Sequence, residues 1–141
     1  MADQVFNTFK KLIMDGSFNF GTDTIKVALM ADTYTPNIDT QDYWSDVSAN
    51  EASGSGYTAG GQALTGKTTS TDDTNDRGLF DADNPVWDPV TITARYAIIY
   101  KDTGTPATSA LIGCLDFGSN QTATAGSFTI NLNAAGLLAL N

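Results

Sequence analysis

"TITARYAIIYK", residues 91–101, alternates along its whole length. Ile92, Ala94, Tyr96, Ile98 and Tyr100 fall on one side of an extended chain, and Thr91, Thr93, Arg95, Ala97 and Ile99 fall on the other. A period of two is the signature of a strand. Ala97 and Ile99 make the second side partly apolar as well, which places the strand in the middle of a sheet with material on both faces. Outward from it, "DTIKVALM" repeats the pattern, with Ile25, Val27 and Leu29 opposite Thr24, Lys26 and Ala28. Further strands are expected over 62–70, 78–82, 110–117 and 127–132, with a terminal apolar piece over 136–140. The segments between them, "DDTND", "DADNP", "KDTGTP" and "GSNQTATAG", have the composition of turns and crossovers.

Two stretches depart from this pattern. Over 1–16, Val5, Phe9, Leu12 and Ile13 stand at i, i+4, i+7 and i+8, with Asp3 near the start and Gly16 after the end. That spacing predicts a short amphipathic helix. Over 31–61 the chain is polar and glycine-rich, with one helical turn expected around Tyr43, Trp44 and Val47 and capped by Asp39 or Thr40. A weakly patterned segment of that length inside a compact domain is a functional loop or arm. Its aromatic residues Tyr34, Tyr43, Trp44 and Tyr57 dock either on their own domain or on a neighbour. The fold class expected is mainly β: one domain, 1–141, built as an antiparallel β-sandwich or jelly-roll-like unit with a short N-terminal helix and a long irregular arm.

Composition narrows the function. Among 141 residues, 41% are hydrophobic and only 16% charged, with 13 Gly, a balance that suits turn-rich β structure. Net charge is −9. Residues 31–90 hold eleven acidic side chains against Lys67 and Arg77, so the imbalance lies in the middle of the chain. This segment is either a solvated surface or the side that points away from an assembly faced by the neutral ends. Nothing basic is clustered, which argues against a nucleic-acid partner. No stretch approaches the roughly 20 apolar residues that cross a membrane, and the opening lacks the pattern of a secretory signal, so synthesis in the cytoplasm is expected. The chain contains no histidine, which removes imidazole triads, imidazole metal ligands and the commonest general base. The single cysteine, Cys114 in "ALIGCLDF", reads as a buried, inert thiol.

"GQALTGKT", residues 61–68, matches the phosphate-cradling pattern G-x-x-x-x-G-K-[ST] letter for letter. A working loop of this kind follows a buried strand and opens a helix, whose N-terminus adds its dipole. Here "ASGSGYTAG" precedes it and "TTSTDDTNDRG" follows, and neither supplies that context. The match is read as accidental, lying within a strand in which Ala63, Thr65 and Lys67 alternate. Asp72, Asp73, Asn75 and Asp76, and likewise Asp81, Asp83 and Asn84, offer oxygen ligands at short spacing. Neither set has the glycine at the sixth position or the distant glutamate of a calcium loop, and turn formation accounts for both. No catalytic residue, cofactor or metal is therefore assigned.

The runs "FNTFKKLIMDGSFNFGTDTIKVALMADTYTPNIDTQDYWSDVSANEASGSGYTAGGQAL" and "TARYAIIYKDTGTPATSALIGCLDFG", followed by "FTI", resemble in order and content a family of small virion structural proteins of tailed bacteriophages. The resemblance covers nearly the whole chain. It implies a non-enzymatic role in the phage particle, foremost that of a capsid decoration or cement protein that binds the outer shell and bridges subunits of the major capsid protein, as a homo-oligomer, expected to be a trimer. Candidate assembly contacts are Val5, Phe9 and Leu12 of the helix and Tyr34, Tyr43, Trp44 and Tyr57 of the arm. The alternatives are a neck, tail or fibre component and, in a different class, a receptor- or glycan-binding module using residues 34–57.

Overall fold

The computed structural model describes residues 3–132 and 138–140. In chain order the elements are β1 (Gln4–Val5), α1 (Asn7–Met14), β2 (Ile25–Met30), α2 (Trp44–Val47), β3 (Gln62–Ala63), β4 (Thr68–Asp72), β5 (Arg77–Asp81), β6 (Val86–Lys101), β7 (Leu111–Thr129) and β8 (Leu138–Leu140), with single 3-10 turns at Ser48–Asn50 and Pro106–Thr108. They form a β-sandwich-like domain of two antiparallel sheets. The five-stranded sheet runs β1-β7-β6-β2-β3 and the three-stranded one β4-β5-β8. Of the terminal piece expected over 136–140, Leu138–Leu140 form β8, and the rest lies outside the described residues. Among the described residues no helix is long and apolar enough to cross a membrane.

The strand read from "TITARYAIIYK" lies, as expected, inside the larger sheet, but it is longer, and one detail of its alternation is different. It pairs with β7 over most of its length and with β2 from Tyr96 to Lys101. Between the pairs Ala94↔Gln121 and Tyr96↔Asp116 the register shifts. Four residues of β7, Phe117 to Asn120, stand against Arg95 alone. At this irregularity β6 changes phase. Ile92 and Ala94 share their side with Ala97 and Ile99, while Tyr96, Ile98 and Tyr100 face the opposite way. The Arg95 Nε–H donates to Asp116 Oδ1 at 2.9 Å and the Gly118 N–H donates to the same oxygen at 2.8 Å, which fixes the bulge. Those bonds, the Arg95 one above all, hold the Asp116 carboxyl below its ordinary value. "GSNQTATAG" is accordingly not a crossover but the irregular middle of β7.

Where β2, β6 and the start of β7 lie together, both faces of the larger sheet are covered, by different parts of the chain; beyond Arg95 the second face carries exposed Thr91, Thr93 and Thr122. On the first, Ile25, Val27 and Leu29 of β2 join Ala97, Ile99 and Ile112, and are sealed by Phe9 of α1, by Leu64, and by Phe80 and Leu138 of the small sheet. Phe9 packs edge-on to Phe18 (4.9 Å between ring centres), and Phe20 stacks on Phe80 (4.2 Å), so aromatic contacts run from the helix to the small sheet. On the second face, Ala28, Met30, Ile98, Tyr100, Leu111 and Cys114 are covered by Phe6 and by the arm residues Tyr34, Trp44 and Val47.

Three local expectations are corrected. Val5 is not on the helix stripe. It pairs with Gly113 in β1, because Phe6 after it stays extended (φ −67°, ψ 142°) to bury its ring, and the helix begins only at Asn7. The segment 62–70 is not one strand. β3 belongs to the larger sheet and β4 to the smaller, with the chain crossing between them at Leu64–Lys67. The turn at α2 is capped by neither Asp39 nor Thr40. The Asp46 carboxylate inside the helix accepts from the N–H groups of Asp42 and Tyr43, both at 2.9 Å. Asp39 instead accepts from Asn7 Nδ2 at 2.7 Å and ties the arm to the start of α1.

Candidate functional site

The arm 31–61 is irregular but firmly seated. The Trp44 N–H donates to the Ser109 carbonyl (2.8 Å), the Leu111 N–H to Asp42 (2.9 Å), the Ala52 N–H to Leu29 (2.8 Å) and the Thr91 N–H to Ser55 (2.9 Å). These bonds stitch it along β2, β6 and the start of β7. The glycines of "ASGSGYTAGG" serve that closeness: at Gly54 an added side chain would meet the Thr91 carbonyl, and at Gly56 the Pro89 carbonyl.

Inside the seat lies a polar knot around the chain's one glutamate. Glu51 Oε1 accepts from the Tyr57 hydroxyl and from the Gly60 N–H, both at 2.7 Å, and the Tyr57 oxygen accepts from the Leu29 N–H at 2.9 Å. Tyr100 closes the knot by donating to the Gly60 carbonyl at 2.7 Å. Burial raises the Glu51 carboxyl above its ordinary 4.5, against the pull of its two hydrogen bonds. A carboxyl raised by folding stabilises most below its unfolded value and loses that contribution as pH climbs through its folded one. Glu51→Gln keeps an acceptor oxygen and removes the titration. The melting temperature of the variant relative to the wild type should therefore rise between pH 4 and pH 7, measured by thermal unfolding. A difference that stays flat would exclude Glu51 as the source.

The seven residues singled out by sequence end up in different places. Phe9, Tyr34 and Trp44 are 0%, 1% and 7% exposed. Tyr34 meets the edge of Tyr96 (5.5 Å) and donates its hydroxyl to Gln41 Oε1 at 2.7 Å. Trp44 stacks flat on Tyr100 (4.6 Å, 6°). Val5 and Tyr57 are half-buried, Val5 in β1 and Tyr57 in the knot. Leu12 and Tyr43 remain, and the fold brings them together. They line one surface hollow of about 220 Å³ between α1 and the arm, with Phe18, Lys101, Thr103 and Thr108 around them.

The lining of the hollow is mainly apolar, and its one charged residue, Lys101, is paired. Lys101 Nζ donates to the Ser17 carbonyl at 2.8 Å, lies 3.1 Å from Asp23 Oδ2 and sits 5.5 Å over the Phe18 ring. Next to it, Lys26 pairs with Asp102 at 2.7 Å. That bond, with the Gly104 N–H, holds the Asp102 carboxyl below its ordinary value. Thr103 and Thr108 share a hydroxyl bond at 2.7 Å, which fixes the loop 102–109. Sequence reasoning missed Phe18, Lys101 and this loop, because "KDTGTP" carries the composition of a plain turn.

The other motifs resolve into structure. Gly61 packs on β2, Gly66 lies against the Asp83 carboxylate, and Lys67 Nζ donates to the Asp23 carbonyl, so the phosphate-like pattern spans two sheets with no helix after it. In "DDTND", Asp72 accepts from Asn75 Nδ2 (2.8 Å) and Arg77 Nε (2.9 Å) and organises the β4–β5 turn. Cys114 is 1% exposed, and burial pushes its thiol up to about 12. Comparison with known proteins finds no matching family model, no matching curated protein and no matching solved structure.

Proposed function

We propose that this chain is a non-enzymatic structural protein of a tailed-phage particle, a capsid decoration protein that binds the outside of the shell through the hollow between α1 and the arm. The resemblance of the sequence to small virion proteins supplies the role. The observation that carries the surface is the meeting of Leu12 and Tyr43, one from each candidate contact segment, in a single hollow held rigid by the seated arm. A preformed hollow lowers the ordering cost of binding. Its small size suits a protein present in many copies, where avidity over the shell replaces strength at one site. The partner is the major capsid protein, and copies meet as homo-oligomers, with a trimer expected. The glycan-binding alternative, placed at residues 34–57, has less support, since Tyr34 and Trp44 are only 1% and 7% exposed there.

The test is addition of the purified protein to shells that lack it. Binding should raise the melting temperature of the shell, and Leu12→Glu and Tyr43→Ala should each weaken binding more than tenfold while the chain still unfolds cooperatively. Wild-type binding by both variants would remove the hollow as the contact. Failure of the wild type to bind any shell, with a copy number in particles matching a portal or tail, would move the protein to the neck, tail or fibre.

A further inference from the structure

The edge of a sheet presents unpaired N–H and C=O groups and is a template for another strand unless it is blunted. In the larger sheet the outermost strands β1 and β3 are two residues long, and the stretch of β7 that β1 leaves uncovered is broken by register shifts. In the smaller sheet β4 is different. It runs five residues beside β5, from Thr68↔Asp81 to Asp72↔Arg77, without a bulge. Among the described residues no strand occupies its outer side. Thr68, Thr69, Ser70 and Thr71 are all exposed. They carry no charge and no proline, and three of the four are β-branched, so the usual protections are missing and the propensity is high.

Within the strand the one charge, Asp72, is taken up by Arg77 at 2.9 Å, and the flanking charges are opposite. Lys67 precedes the strand and the exposed Asp73 follows it. Lys67 gives one N–H to the Asp23 carbonyl, which holds the ammonium at that end and leaves two donors. If two copies of β4 pair antiparallel about Ser70, Lys67 of each copy stands opposite Asp73 of the other, twice over by symmetry. A parallel pairing would set Lys67 beside Lys67 and Asp73 beside Asp73. We propose that β4 pairs antiparallel with β4 of a second copy of this chain, joining two small sheets into one six-stranded sheet across a two-fold axis. A five-residue ladder falls short of the roughly 800 Å² per partner of a standard interface. The contact is therefore weak between free molecules and effective where copies are held side by side. It stands independently of the decoration reading, and being two-fold it is a contact distinct from any within the trimer expected there.

Ser70→Cys tests this directly, because residues facing each other across an antiparallel ladder lie within disulfide reach, at about 4.5–5.5 Å between Cα atoms, and the native Cys114 is buried. Under mild oxidation at high protein concentration, Ser70→Cys should form linked dimers at least tenfold faster than Thr74→Cys, placed at the exposed tip of the same hairpin. Adding Asp73→Lys to Ser70→Cys should slow the linkage several-fold, and adding Lys67→Asp as well should restore it. If the variant carrying both charge changes does not fold, Asp73→Lys in its exposed turn still decides the charge pairing. Equal rates at positions 70 and 74, or linkage indifferent to Asp73→Lys, would overturn the proposal.

Discussion

Gly61→Ala is expected to destabilise the protein by more than about 4 kcal/mol, within the range reserved for forced backbone strain and steric overlap. Gly61 has φ +77°, a region that costs other residues about 1–2 kcal/mol, and the methyl group would overlap the Val27 carbonyl oxygen. It would also lie 2.6 Å from the Val27 carbonyl carbon and 2.7 Å from the Ala28 Cα. All three are backbone atoms of a central strand, so nothing flexible is available to give way. Relief requires β3 to leave β2, which breaks the pairs Lys26↔Ala63 and Val27↔Gln62 and the bond from the Leu64 N–H to the Ile25 carbonyl. The matched control is Gly16→Ala. Gly16 has nearly the same φ, +79°, but nothing within 4 Å of the added carbon, so only the conformational cost applies. Thermal unfolding should show a fall of roughly 10–20 °C for Gly61→Ala against a few degrees for Gly16→Ala. Similar losses in both would show that the close approach to β2 contributes nothing.

Trp44→Ala is the second. Removing this ring should cost about 3–5 kcal/mol, as for other large aromatic side chains cut back in a core. Its partner Tyr100 would lose a parallel stack, and the layer over Met30, Ile98 and Leu111 would open. Trp44→Phe should recover a good part of the loss, because a smaller ring still covers Tyr100. Urea unfolding of the three proteins checks this. A cost below about 1 kcal/mol, the scale of an exposed substitution, would mean the arm does not close the second face of the sheet.

How far the sequence could be read depended on which forces were local. Alternation in residues 91–101 and 25–30 announced two strands, and apolar residues in both phases announced a strand buried on both sides. The identity of the covering layer was not local. Tyr34 and Trp44 could be named as docking residues, but only the pairing of β2 with β6 shows that the surface awaiting them is Ala28, Met30, Ile98 and Tyr100. The reversal of faces at Arg95 was also invisible, since nothing in the alternation of 91–101 marks where β6 changes phase beside the register shift with β7. Phe6 misled in the opposite direction: a helical stripe ran through Val5, but burial of the Phe6 ring and the bond from its N–H to the Ile112 carbonyl hold that part of the chain extended. Of the hollow, Leu12 and Tyr43 were legible as separate candidates. Their meeting is set by contacts between distant residues, among them Asp39 with Asn7, 32 positions apart, and the bridge Tyr43↔Ala110.

The double cover on the central sheet has a consequence for recognition. A sandwich with one bare face invites partners to lie flat against it and to read a broad hydrophobic plane. Here that plane is already occupied on both sides, by the helix and small sheet below and by the arm above. What stays open among the described residues is the perimeter, where the hollow and the threonine-lined hairpin lie, and the polar threonine face beyond Arg95, so the surface offers no broad apolar plane.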